Sequence, residues 1–152
     1  MDLAAAALTT HVGLAAVWDL AQRRIPNPLI VSGLLLGFAF QAQASALAGL
    51  GSAFLGALVA LLILIGPFAA RWMGGGDVKI AMVCGAFTGW SGAVQIILAG
   101  TVAHGLLGIG VLLSRAGLQS VGRVPGPPRP LPHAVGFAVG TVLYIVGLLD
   151  FI

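Results

Sequence analysis

Asp19 and Asp77 stand beside long apolar runs in a chain that has four aspartates and no glutamate. An acid held in hydrocarbon costs roughly 3 kcal/mol on insertion scales, so such a residue usually faces a bundle interior or water and has a role there. Two carboxylates within a few ångströms of each other cannot both ionise comfortably and tend to share one proton. The charged member takes a proton from water as that water attacks a carbonyl carbon, and the protonated member donates to the carbonyl oxygen. Both protons belong to the pair, so neither part is assigned to one aspartate. Helix-end aspartates also cap helices or pair with cations, and Lys79 closely follows Asp77. Residue type and place alone leave both uses open.

Hydropathy gives the elements that must position the pair. The 152 residues are 59% hydrophobic and 7% charged, with mean hydropathy +1.09. A soluble domain carries roughly a quarter charged residues, so the composition predicts an all-α integral membrane protein. A spanning helix takes roughly 20 residues, which allows about six and no soluble domain. The apolar stretches fall at about 3–19, 28–44, 48–70, 77–90, 93–114 and 131–150. They predict a six-transmembrane-helix bundle forming one domain over 1–152. Residues 80–114 as one helix would rise roughly 50 Å, beyond a ~30 Å hydrocarbon core, so a turn is required near Trp90-Ser91-Gly92. The pairs Gly33/Gly37, Gly85/Gly89 and Gly136/Gly140 predict faces on which helix backbones approach closely.

Charge supplies an independent test. Six spans place Arg23, Arg24, Arg71, Lys79, Arg115, Arg123 and Arg129 on one side, and Asp2 and Asp150 on the other. The basic side is then cytoplasmic and both termini are outside. Asp19, ending the first span, and Asp77, beginning the fourth, share the cytoplasmic depth. Asp2 stands where a signal peptide has its basic region, so the first helix is expected to be retained. The proline-rich stretch 121–132 is expected to be a stiff irregular loop. The net charge of +3 is scattered between apolar runs and forms no nucleic-acid patch.

The residues around the two aspartates carry a resemblance. Asp19-Leu-Ala-Gln-Arg-Arg-Ile25-Pro26-Asn27 is similar to the Asp-x5-Ile-Pro-Asn pattern of type IV prepilin peptidases. Gly74-Gly75-Gly76-Asp77-Val78-Lys79 is similar to that family's Gly-x-Gly-Asp-x-Lys element. The two motifs come in the family's order, and the likeness covers nearly the whole chain, because the family's catalytic unit is a six-span bundle. The resemblance implies an aspartic endopeptidase of the inner membrane, with its active site at the cytoplasmic side. Its substrates would be prepilin-like proteins with a short basic leader and an apolar helix. Asp19 and Asp77 would be the catalytic pair. Ile25, Pro26, Asn27, Gly74, Gly75 and Gly76 would shape the site, with Lys79 beside it. The cysteine-rich insertion of larger members is missing, so the chain resembles the small peptidase-only form serving tight-adherence (Flp-type) pili. N-methyltransferase activity is then not expected. The chain departs from the family at Pro132-His133-Ala134, where an aromatic residue and glycine often follow the proline. That change bears on substrate fit.

The remaining candidates have plainer readings. Cys84, the single cysteine, is expected to be a small buried side chain. His11 and His104 lie within spans and are expected to hydrogen-bond to neighbouring helices, with His133 at the membrane edge. The three histidines lie on different helices without ligand spacing, so neither a metal nor a cofactor is predicted. The competing functions are a small transporter using its acids as a relay, and a catalytically silent pilus-assembly scaffold. A relay places acids near the midplane, whereas both candidates here lie at one face.

Overall fold

The computed structural model describes residues 3–120 and 133–148. Four helices are assigned in chain order: α1 (Leu3–Gln22), α2 (Asn27–Ala69), α3 (Gly75–Ser120) and α4 (His133–Ile145). The protein is all-helical among these residues. α1, α2 and α3 are each long and apolar enough to cross a membrane, and α4 is a shorter apolar helix. The termini with Asp2 and Asp150, and the loop expected at 121–132 with Arg123 and Arg129, lie outside the described residues.

α2 and α3 are not straight rods. The 43 residues of α2 would rise roughly 65 Å if continuous. Instead Ser45 (φ −148°, ψ 23°) and Ala46 (φ 47°, ψ −122°) leave helical geometry. Beyond them Gly49 backs directly onto the carbonyl of Gln41, whereas eight residues of straight helix would separate the two by roughly 12 Å. The chain therefore reverses at 45–46, close to the break expected after 44. α3 turns at Gly89 (φ 72°, ψ −172°), a backbone state that L side chains disfavour. Thr101 and His104 then share a pocket with Trp72 and Met73. A straight helix would put Thr101 roughly 39 Å beyond Gly75. The turn thus falls one residue before the expected Trp90-Ser91-Gly92, because Gly89 is the residue that accepts a positive φ. The reversals divide the described chain into six helical segments.

Glycine contacts give the packing. Gly33 faces Val83 and Gly37 faces Ala86 and Phe87, so the first half of α2 runs parallel to the first half of α3. Gly56 abuts Gly85, and Gly75 lies beside the Phe68 ring, so the second half of α2 runs antiparallel to the same segment. Gly136 and Gly140 seat α4 antiparallel on the second half of α3, at Gly100 and Ile96. All three glycine pairs singled out in the sequence lie at helix contacts. Leu8, Val12, Ile80, Val83 and Ile96 form the centre of the core. Large apolar side chains such as Leu35, Phe54, Leu62 and Leu106 point outward. Glycines at the helix contacts and many large apolar side chains facing outward suit a bundle whose solvent is lipid.

The segments share two ends. Ala4, Gln41, Thr88 and Tyr144 gather at one. The α1–α2 turn and the α2–α3 turn meet at the other.

Candidate active site

α1 continues through Leu20, Ala21 and Gln22, all able to sit in a helix, and stops where Arg23 adopts φ 56°. The Arg23 N–H donates to the Asp19 carbonyl at 2.9 Å, a left-handed helix cap. Asp19 therefore projects from the last turn of α1 and does not end the helix, as the apolar stretch 3–19 had suggested. α2 begins after Pro26 (φ −64°, ψ 132°), whose carbonyl accepts from Leu29 N–H at 3.1 Å. Pro28 stands in its first turn, where a missing N–H removes no helical bond.

After its reversal α2 closes in a Schellman motif. Arg71 (φ 62°) donates to the Phe68 carbonyl and Trp72 to the Pro67 carbonyl, both at 3.0 Å. The chain then opens α3 with its own carboxylate. Gly74 N–H donates to Asp77 Oδ2 at 3.1 Å, and Asp77 N–H donates to the Gly74 carbonyl at 3.2 Å. This is the backward half of a capping box, with Asp77 at the third helical position. The positive end of α3 favours a negative charge there. Asp77 is only 7% exposed, whereas Asp19 is half-buried.

The two turns meet around one open cleft of about 570 Å³. Asp19 and Asp77 both line it. So do Ile25, Pro26 and Asn27 from one motif, and Gly74, Gly75, Gly76 and Lys79 from the other. Every site residue expected from the sequence reaches this cleft. The motifs also touch directly. Lys79 Nζ donates to Asn27 Oδ1 at 3.0 Å, and a side chain on Gly76 would come within 3.2 Å of Ile25 Cδ1. A side chain on Gly74 would stand 3.3 Å from Asp77 Oδ2. The glycines thus let the Asp77 carboxylate, the Phe68 ring and the Ile25 side chain pack tightly against this turn, where a Cβ would press on each at 3.2–3.3 Å.

Trp18, Gln22, Arg23 and Arg24 also line the cleft, and sequence reasoning had not placed them there. The two arginines had a sufficient explanation as membrane anchors. Their position inside the Asp-x5-Ile-Pro-Asn spacing was the available signal.

The other candidates lie elsewhere. His11 Nδ1–H donates to the Ala7 carbonyl at 3.0 Å within its own helix, and its Nε2 lies 3.4 Å from Ser32 Oγ of α2. Cys84 is buried against Thr141, 3.7 Å from its hydroxyl. His104 lines an apolar pocket beside Phe137. The His133 side chain lies outside the described residues. Among the described residues no three of His, Cys, Asp and Glu gather as metal ligands would.

A family model described as the type IV leader peptidase family matches residues 6–109, which include both aspartates of the cleft. No curated protein and no solved structure matches the chain.

Proposed function

The chain belongs to the type IV leader peptidase family, and we propose that it is an intramembrane aspartic endopeptidase in which Asp19 and Asp77 act together on one peptide bond. The observation that carries this reading is their convergence. Two acids from distant parts of the chain line one cleft, and the motifs around them are joined through Lys79 and Asn27.

The chemistry follows from a carboxylate pair. Substrate backbone lies along Gly74, Gly75 and Gly76. One aspartate, charged, takes a proton from a water molecule as its oxygen bonds to the scissile carbonyl carbon. The other, protonated, donates to the carbonyl oxygen. Collapse of the tetrahedral species breaks the C–N bond and passes a proton to the departing amine. Gly74 N–H steadies the Asp77 carboxylate through this cycle.

The substrate in this reading is a prepilin-like protein, cut between its basic leader and its apolar helix. The six helical segments are read as six spans of the inner membrane, with both termini outside and the cleft at the cytoplasmic face. Exposed Trp18 and Trp72 stand near Arg23, Arg24 and Arg71 at the cleft end, and exposed Trp90 lies at the other end, which supports two interfacial levels. Only residues 23–26 connect α1 to α2. That short turn supports the peptidase-only form, similar to those of Flp-type pili, without N-methyltransferase activity.

The test is leader removal by the purified chain in liposomes, followed by gel shift. Asp19→Asn and Asp77→Asn are each expected to slow it by about 100-fold or more, the scale of general acid–base catalysis. Normal processing by either folded variant would overturn the pair.

A further inference from the structure

A second cavity adjoins the cleft and has no part in the chemistry described so far. It holds about 290 Å³ and is walled by Leu64, Pro67, Trp72, Met73, His104 and Phe137, from the end of α2, the α2–α3 turn, the second half of α3 and α4. Thr101 also reaches it, with its hydroxyl turned back to the Ile97 carbonyl at 2.7 Å. The wall is therefore almost wholly apolar. Trp72 is 76% exposed beside it.

Continuity with the cleft decides what this pocket is for. Met73 lines the pocket and Gly74, the next residue, lines the cleft. The divider between them is the segment 73–76, three of whose residues are glycines, with Gly75 lying flat against the Phe68 ring. A chain leaving the cleft past that glycine segment would pass from a charged site onto apolar side chains. The substrate class of the proposed peptidase has that order: a basic leader, the cut, then an apolar helix. Another open apolar groove, between the second half of α3 and α4 around Leu106 and Val139, has no lining residue next in sequence to a residue of the cleft, as Met73 is to Gly74.

We propose that the pocket formed by Leu64, Met73, His104 and Phe137 receives the start of the substrate's apolar helix and fixes which bond reaches the aspartates. This rests on the peptidase reading above. It assigns Met73, Trp72 and Thr101 to substrate selection.

Two measurements test it in the full chain in liposomes. The first compares cleavage of a helix-bearing prepilin with cleavage of a short peptide holding the leader and a few residues past the cut. Thr101→Trp, which fills the pocket, and Met73→Ala, which removes its wall, are expected to lower the kcat/KM ratio of the long to the short substrate about tenfold. The second places a photoreactive benzophenone side chain at position 73 in the Asp77→Asn background and maps crosslinks to the prepilin. Crosslinks confined to the first turns of its apolar helix are expected. Unchanged ratios in both variants, or equal loss on both substrates, would overturn the assignment, as would crosslinks only to lipid acyl chains. Crosslinking at the helix without cleavage by the wild-type chain would instead reject the peptidase reading and keep the pocket as a helix-binding site.

Discussion

Gly56→Ala probes whether the bundle's close contacts hold the site together. A Cβ on Gly56 would meet the Gly85 carbonyl oxygen directly, with the carbonyl carbons of Gly89 and Gly85 at 2.7 and 2.8 Å. Ordinary contact begins at 3.4 Å, so the second half of α2 and the first half of α3 must separate by at least about 0.7 Å. All of the atoms it meets are backbone, and no side-chain rotation relieves the clash. Overpacking of this kind costs about 1–3 kcal/mol. For a chain of this size that lowers the unfolding temperature by about 3–10 °C. Cys84, the single cysteine, is fully buried, so a thiol-reactive fluorogenic dye added during heating reports unfolding directly. The shift also reaches the chemistry. Asp77 begins the same segment of α3 that Gly85 anchors, and a displacement approaching 1 Å costs up to about 100-fold when reacting groups must align. Leader removal is expected to fall by about 10- to 100-fold at a temperature where the variant is still folded. Gly13→Ala is the control, since nothing lies within 4 Å of its Cβ position. It is expected to hold or raise stability, by up to about 1 kcal/mol. If Gly56→Ala matches wild type in both assays, the packing argument is wrong.

Other substitutions separate local roles. Gly74→Val is expected to abolish leader removal without lowering the unfolding temperature by more than a few degrees, because its side chain would press on Asp77 Oδ2, 3.3 Å from the Cβ position; normal turnover would show that the carboxylate has room to move. Lys79→Met and Asn27→Ala each remove the bond that joins the motifs, and a double-mutant cycle on stability should give a coupling of about 0.5–1 kcal/mol. Strict additivity would mean that the bond does not contribute. Arg71→Gly places glycine at a left-handed helix cap (φ 62°) and is expected to stabilise the chain by about 1 kcal/mol in the dye assay. A fall in stability would show that the Arg71 side chain matters more than its backbone strain.

Several of these features were legible in the residue order. Both aspartates and both motifs were identifiable by type and spacing, because the proposed chemistry calls for paired acids and the motifs around them have a recognisable spacing. The glycine pairs were legible by their spacing too: Gly33 and Gly37 permit contact only where no side chain intervenes. Their partners were not. Gly85 faces Gly56, and Gly136 faces Gly100, yet neither Gly56 nor Gly100 belongs to the three glycine pairs read from the sequence, so tertiary packing alone reveals them. Hydropathy placed the breaks within a few residues and missed the ends. α1 runs three residues past the apolar stretch because helix propensity, and not apolarity, sets where it stops. Arg23 and Arg24 looked like anchors because a positive charge at a membrane boundary needs no further reason. Their place in the cleft depends on the left-handed turn at Arg23, which nothing in its residue type announces.

That turn explains how a site of opposite charges is assembled at the end of an apolar bundle. A glycine at position 23 would have made the same cap with less strain, but it would have left the cleft without one of its cations. Arg23, Arg24 and Lys79 place three cations around two carboxylates, and the two acids reach the cleft by different routes. Asp77 is held from behind by Gly74 and is nearly enclosed, whereas Asp19 hangs from the last turn of α1 and is half-buried. Asp77 rides on the segment of α3 wedged between both halves of α2 by Gly37 and Gly56. Asp19 rides on α1, which meets that segment through Leu8 and Val12 in the core. Ile25 against Gly76 and Lys79 with Asn27 bind the two carriers at the rim. The spacing of the acids is therefore set jointly by the core beneath them and the rim around them, which is why substitutions remote from either aspartate are expected to act on turnover.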